Sequence, residues 1–152
     1  KLLFRRVSAN LIFTYDNNQY YALNTIVVVT LKGGKCISLK YLLALLNSKL
    51  LNFYYVTEHK STKKVFSEIQ ARSVGELPIK HVSQNKQQGF ISLVDKILIS
   101  KEENPQAETN SLENEIDKKV YHLYSLTYDE VLIIDPDTPI TREEYERYNI
   151  SE

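Results

Sequence analysis

Methionine and tryptophan are absent, cysteine occurs once, and glycine and proline occur four times each in 152 residues. Each scarcity removes a class of protein. The lone Cys36 excludes an intrachain disulfide framework and a thiolate zinc cage, and it fits a reducing, cytoplasmic setting. With no His or Asp beside it in sequence, Cys36 reads as a small buried strand residue and not as a reactive thiol. Gly33-Gly34 lies between two lysines and reads as a hairpin turn, so no glycine-rich loop remains to cradle a nucleotide. No apolar run approaches the ~20 residues of a membrane span. The longest candidate, 39–55, is interrupted by Asn47, Ser48, Lys49 and Asn52. Lys1–Arg6 does not read as a signal peptide, because charge flanks its short apolar patch on both sides. The chain begins without Met, inside a strand-like run, and we expect it to be a piece of a longer polypeptide.

What is present suits one domain, or one domain with a small helical appendage. A hydrophobic fraction of 43%, with eleven Tyr and five Phe, can fill a core. The net charge of zero hides two opposed blocks. Residues 1–101 carry fifteen Lys/Arg against five Asp/Glu, a balance of +10. Residues 102–152 carry four against fourteen, a balance of −10. A basic body has the sign that a polyanion partner requires, and nucleic acid is the commonest such partner.

The first third reads as antiparallel sheet: Leu2–Val7, Leu11–Tyr15, a turn over Asp16–Gln19, a return over Tyr20–Leu23, and the β-branched run Thr25–Leu31. That last run is expected to be buried on both faces. Ser38 caps a Leu-rich helix expected over 39–55, with the sheet packed on it. A polar, basic loop follows from Glu58 to Lys64. Glu76–Val82 reads as extended, with Pro78 at an edge. Phe90, Ile91, Val94, Ile97 and Leu98 form one apolar stripe of a helix over Gln84–Lys101. Asn110 is expected to cap a third helix reaching about Ser125. Two capping boxes, Thr127…Glu130 and Thr141…Glu144, open further helices. The fold class expected is α+β: a mostly antiparallel β-sheet packed on a Leu-rich helix and followed by C-terminal helices.

Three stretches then occur in order: Tyr41–Leu50, Glu76–Ile79 leading into the Phe90–Leu98 helix, and Glu115–Val131. Together they resemble the TaqI-like C-terminal specificity domain, the target recognition domain that ends type IIG adenine-N6 methyltransferases of restriction–modification systems. They are also similar to type I specificity subunits. The resemblance implies a sequence-specific DNA recognition domain, itself non-catalytic, from a bacterial, cytoplasmic enzyme that methylates adenine and in some cases also cuts. It implies double-stranded DNA and the N-terminal methyltransferase domain of the same polypeptide as partners, and no membrane. S-adenosylmethionine, with Mg²⁺ for a cutting enzyme, belongs to the parent protein, and no cofactor belongs to this chain. The expected organisation is a recognition body over 1–82, a spacer helix over 83–101, a linker over 102–110 and an acidic helical segment over 111–152.

DNA reading needs phosphate contacts for affinity and base-edge contacts for discrimination. For phosphates the expected residues are Lys60, Lys63, Lys64 and Arg72, with Lys32 and Lys35 in the hairpin. For base edges they are Arg5, Arg6, Asn17, Asn18 and Gln19, because Arg pairs with guanine and Asn or Gln with adenine in bidentate geometry. Ser61 and Thr62 suit either kind of contact. Arg5 and Arg6 face opposite ways in a strand, so one of them is expected to touch DNA. The pairs Tyr20-Tyr21 and Tyr54-Tyr55 read as half-core packing and not as stacking platforms.

Catalytic chemistry is thin. Adenine methylation needs a polar residue followed by Pro-Pro and an aromatic to hold the flipped base, and no Pro-Pro pair exists. Asp117-Lys118-Lys119 has nuclease-like spacing, yet on a helix Asp117 and Lys119 point roughly 200° apart. His59, His81 and His122 have no ligand-like spacing. Two rival readings remain: a protein–protein docking module of a larger enzyme, and a nuclease domain.

Overall fold

The computed structural model describes residues 1–32, 36–59 and 67–148. Strand β1 (Leu2–Arg5) is the centre of a three-stranded antiparallel sheet, flanked by β3 (Phe13–Tyr15) and β4 (Ile26–Val29). Leu2 stands opposite both Tyr15 and Val29, and Arg5 stands opposite Ile26. Two short strands, β2 (Val7–Ser8) and β5 (Ser67–Glu68), pair separately. The alternation of β1 sends Leu2 and Phe4 inward onto helix α1 (Leu39–Asn47), where Tyr41, Leu43, Ala44, Leu45 and Leu46 are buried. This is the α+β arrangement expected from the sequence.

One core continues from the sheet into the C-terminal half. Helices α4 (Gln84–Glu103) and α5 (Asn110–Leu123) contribute Phe90, Leu93, Val94, Ile116 and Val120 to the cluster that holds Leu2, Phe4 and Phe13. Gln87, buried on α4, fixes the junction. Its Oε1 accepts from the Ser38 N–H at 2.8 Å, and its Nε2 donates to the carbonyls of Cys36 and Val82. A smaller cluster of Tyr121, Val131, Ile140 and Tyr145 joins α5 to α6 (Tyr128–Ile134) and α7 (Arg142–Glu146). Both expected capping boxes form, with Thr127 and Thr141 accepting from the N–H groups of Glu130 and Glu144.

Several expectations fail for identifiable reasons. The helix expected over 39–55 is two helices, α1 and α2 (Lys49–His59). Ser48 is extended (ψ 150°) and donates its hydroxyl to the Leu45 carbonyl, while its backbone carbonyl accepts from the Asn52 N–H. Asp117 reaches in from α5, and its Oδ1 accepts from the first N–H of α2, that of Lys49, at 2.9 Å. Tertiary contacts therefore replace the continuous helical ladder at this point. The run Thr25–Leu31 is not buried on both faces: β4 is an edge strand, and Ile26 and Val28 are exposed. Tyr20–Leu23 forms no strand. Cys36 is exposed and outside any strand, and its carbonyl is bound by the Gln87 side chain and not by a neighbouring strand. The residue preceding α5 is Thr109, with Asn110 its first helical position.

Just past α5 and its C-cap Tyr124, Ser125 takes φ 60°, a left-handed conformation in which a β-carbon is strained. The Leu126 N–H reaches back to the Tyr121 carbonyl at 3.0 Å across this turn. Ser125→Gly is therefore expected to stabilise the protein by about 0.5–1 kcal/mol, read as a higher midpoint in thermal unfolding.

Candidate nucleic-acid interface

Strands β3 and β4 run in the same direction on either side of β1. The connection between them, residues 16–25, must therefore return from one end of the sheet to the other. It carries Asn17, Asn18, Gln19, Tyr20, Tyr21 and Asn24, all exposed. One end of this crossover lies at the end of the sheet where β4 finishes, three residues before Lys32. The other lies beside Arg5 and Arg6, which end β1. The two ends are separated by the length of β1, roughly 10 Å at ~3.3 Å per residue.

The turn at the first end is rigidly made. The Asn18 N–H donates to Asp16 Oδ1 at 2.8 Å, and Gln19 takes φ 58°. Lys1 Nζ lies 2.8 Å from Asp16 Oδ2 and donates to the Tyr20 carbonyl. The hydrogen bond from Lys1 holds the Asp16 carboxyl below its usual range. The backbone is thereby fixed, and the side chains of Asn17, Asn18 and Gln19 have no hydrogen-bond partner among the described residues.

At the other end the chain bends at Arg6. The Arg6 N–H donates to the Thr25 carbonyl, and the Arg6 carbonyl accepts from Ile69. The strand alternation that would point Arg5 and Arg6 apart stops here. Both line one hollow of about 450 Å³, together with Asn24 and Thr25. Arg6 is held loosely by Glu68 at 3.9 Å. Arg5 has no ion-pair partner among the described residues. Arg72, on α3 (Ala71–Gly75), bonds Glu76 at 3.0 Å with its side chain 86% exposed. A pair so open to water contributes about 0–1 kcal/mol and yields readily to a phosphate. Lys35, Lys60, Ser61, Thr62, Lys63 and Lys64 lie outside the described residues.

Much of the positive charge of the body has an internal use. Lys40 pairs with Asp95, and Lys49 pairs with Asp135 at 2.7 Å, which joins the basic body to the acidic half. Lys80 and Lys101 donate to the carbonyls of Leu123 and Ala107. Arg5, Lys32, Lys86 and Lys96 are the described body cations without such a partner, and Arg5 lies at the end of the crossover.

Sequence reasoning missed three residues here. Tyr20 and Tyr21 are 66% and 102% exposed, where half-core packing was expected, and Asn24 shares the hollow with both arginines. Reading Tyr20–Leu23 as a strand concealed them. The second pair behaves as expected, with Tyr55 buried and Tyr54 at the surface.

The rival chemistry has structural explanations. Asp117 caps α2, and Lys119 donates to the Tyr148 hydroxyl, so the nuclease-like spacing serves packing. His122 stacks on Tyr145 at 4.0 Å between ring centroids. Among the described residues no group of three or more His, Cys, Asp or Glu is placed to hold a metal ion, and no helix is long and apolar enough to cross a membrane.

A small sheet is packed on a leucine-rich helix, and an exposed polar and aromatic crossover ends beside Arg5. The family model of the TaqI-like C-terminal specificity domain matches residues 1–79, more than half of the chain, and the chain belongs to that family. Membership implies DNA target recognition in the setting of a restriction–modification methyltransferase. The match ends at Ile79, so the Glu115–Val131 motif lies beyond it. No curated protein and no solved structure matched the chain.

Proposed function

We propose that this chain reads a short duplex DNA sequence for an adenine-N6 methyltransferase carried on the same polypeptide, and performs no chemistry itself. Family membership over residues 1–79 carries this reading, and the crossover supports it with residue types suited to base edges. Arg5 and Asn24 match guanine and adenine in bidentate geometry, and Asn17, Asn18 and Gln19 extend the same chemistry. Lys32 and Arg72 would meet phosphates, and Lys35, Lys60, Lys63 and Lys64, with Ser61 and Thr62, complete the set drawn from the sequence. S-adenosylmethionine, and Mg²⁺ where the parent cuts DNA, act in the rest of that protein. The C-terminal helices brace against it. Ile133 on α6 is 68% exposed, an apolar side chain left uncovered by the described residues.

Selection from a randomised duplex pool tests the proposal. The 152-residue chain is expected to enrich one recurrent motif. Arg5→Ala should change the preferred base at one position at a cost of about 1–3 kcal/mol, whereas Lys32→Ala should weaken all sequences alike and lower the salt slope by about one. Enrichment of no motif by the parent chain, or an unchanged motif with Arg5→Ala, overturns the assignment.

A further inference from the structure

A cleft of about 640 Å³ lies over the α1–α2 joint. Buried Leu43 and Val94, with half-buried Ile97, give it apolar walls. Asp117, only 6% exposed, also lines it. One oxygen of this carboxylate accepts from the Lys49 N–H. The other has no hydrogen-bond partner among the described residues. Lys49 Nζ is bonded to Asp135, so its charge is shared between two carboxylates. Glu113, a second carboxylate on the cleft, accepts from the Thr109 hydroxyl. The cleft thus combines apolar walls with an excess of negative charge and a free acceptor oxygen, carried on a mostly buried residue.

We propose that this cleft is a binding site for a guanidinium or ammonium group carried on an apolar stem. The cationic head meets the free oxygen of Asp117, where burial strengthens a charge-assisted hydrogen bond, and the stem lies against the apolar walls. An anion is repelled, and a neutral analogue forfeits the charge term. The size fits such a ligand, since small-molecule sites commonly enclose ~300–1,000 Å³. The ligand can be a free organic cation or a basic side chain of another polypeptide, and the chemistry is the same for both.

Binding should depend on pH in a defined sense. The charged and titratable groups facing Asp117 are Lys49 from α2, Asp135 from beyond α6, and Glu113 and Tyr121 from its own helix. Burial pushes its carboxyl up to about 6. The carboxylate is mostly protonated at pH 5 and ionised at pH 7.5, so affinity for a cation should be about tenfold lower at pH 5.

The test is an NMR titration of the 152-residue chain with butylguanidinium, with its neutral isostere butylurea, and with a blocked Leu-Arg-Leu tripeptide. Expected are saturable shifts around Lys49, Val94 and Asn114 with butylguanidinium at pH 7.5, a tenfold loss at pH 5, and abolition by Asp117→Asn, whose amide oxygen still caps α2. Ile97→Trp, which fills the cleft and leaves Asp117 in place, should abolish binding as well. Tighter binding of the tripeptide supports a protein side chain as the natural occupant, and its exclusion supports a free cation. Equal binding of butylurea, unchanged binding with Asp117→Asn, or no binding of any probe overturns the proposal.

Discussion

Asp117→Asn should make the protein more stable at pH 7 by about 2 kcal/mol and remove a pH dependence that the parent shows below neutrality. Burial raises the Asp117 carboxyl from 3.8 to about 6 in the folded state, against the pull of the Lys49 backbone N–H and charge. Between those two values the folded chain binds more protons than the unfolded chain. Stability from this group is therefore fully present below about 3.8, falls as pH rises through about 6, and stays lost above it. A shift of about two units corresponds to about 3 kcal/mol. The asparagine oxygen keeps the cap on α2 without the buried charge, so most of that cost should be recovered. Asp117→Ala also deletes the acceptor, leaving the Lys49 N–H without its partner, and should gain less. Asp16, Glu130 and Glu144 act in the opposite sense. Their carboxyls are held low by hydrogen bonds from Lys1, Thr127 and Thr141 respectively, so their contribution is lost as pH falls through those lowered values. The difference between parent and variant in urea unfolding at pH 4, 5, 6 and 7 isolates Asp117. A difference that does not vary with pH would contradict the assignment.

Asn52→Leu is expected to cost about 2–4 kcal/mol. Strand β3 and the residues before it form the edge of the sheet that faces the helices, and their outward backbone groups need partners. Two asparagine side chains supply them. Asn47 accepts from the Phe13 N–H at 2.8 Å and donates to the Phe13 carbonyl at 2.9 Å. Asn52 does the same for Leu11, with both bonds at 2.9 Å. Residues 11 and 13 are two apart, the spacing of successive paired residues along a strand, so the two amides stand in for a neighbouring strand. Leu11 and Phe13 have buried side chains, 1% and 3% exposed. An apolar side chain of similar size at position 52 leaves the Leu11 donor and acceptor unmatched, at about 1–3 kcal/mol each. Denaturant unfolding measures the loss. Asn52→Leu as stable as the parent would show that water replaces the amide without cost.

These two residues mark the boundary of what the sequence discloses. The apolar periodicities of α1, α4 and α5 and the capping boxes of α6 and α7 are local patterns, and they were legible. The break at Ser48 was not. Asn47, Ser48, Lys49 and Asn52 read as a polar interruption of one helix, because their partners Leu11, Phe13 and Asp117 lie 34 to 68 positions away. The β-branched run 25–31 misled in the opposite way: its composition suits a central strand, but topology put it at an edge. In the candidate interface, Arg5, Arg6 and Asn17–Gln19 were visible as residue types. The place of Asn17–Gln19, Tyr20, Tyr21 and Asn24 on one crossover that ends beside Arg5 and Arg6 depends on β3 and β4 flanking β1, which no local pattern encodes.

The central claim is that the exposed crossover and the Arg5 hollow read base sequence. Duplex selection on the parent and on Arg5→Ala, with every other residue unchanged, addresses it most directly. One motif for the parent and an altered base preference at a single position for the variant is the result expected. The same motif from both proteins would place sequence reading elsewhere on the chain, and no motif from either would remove it from this chain altogether.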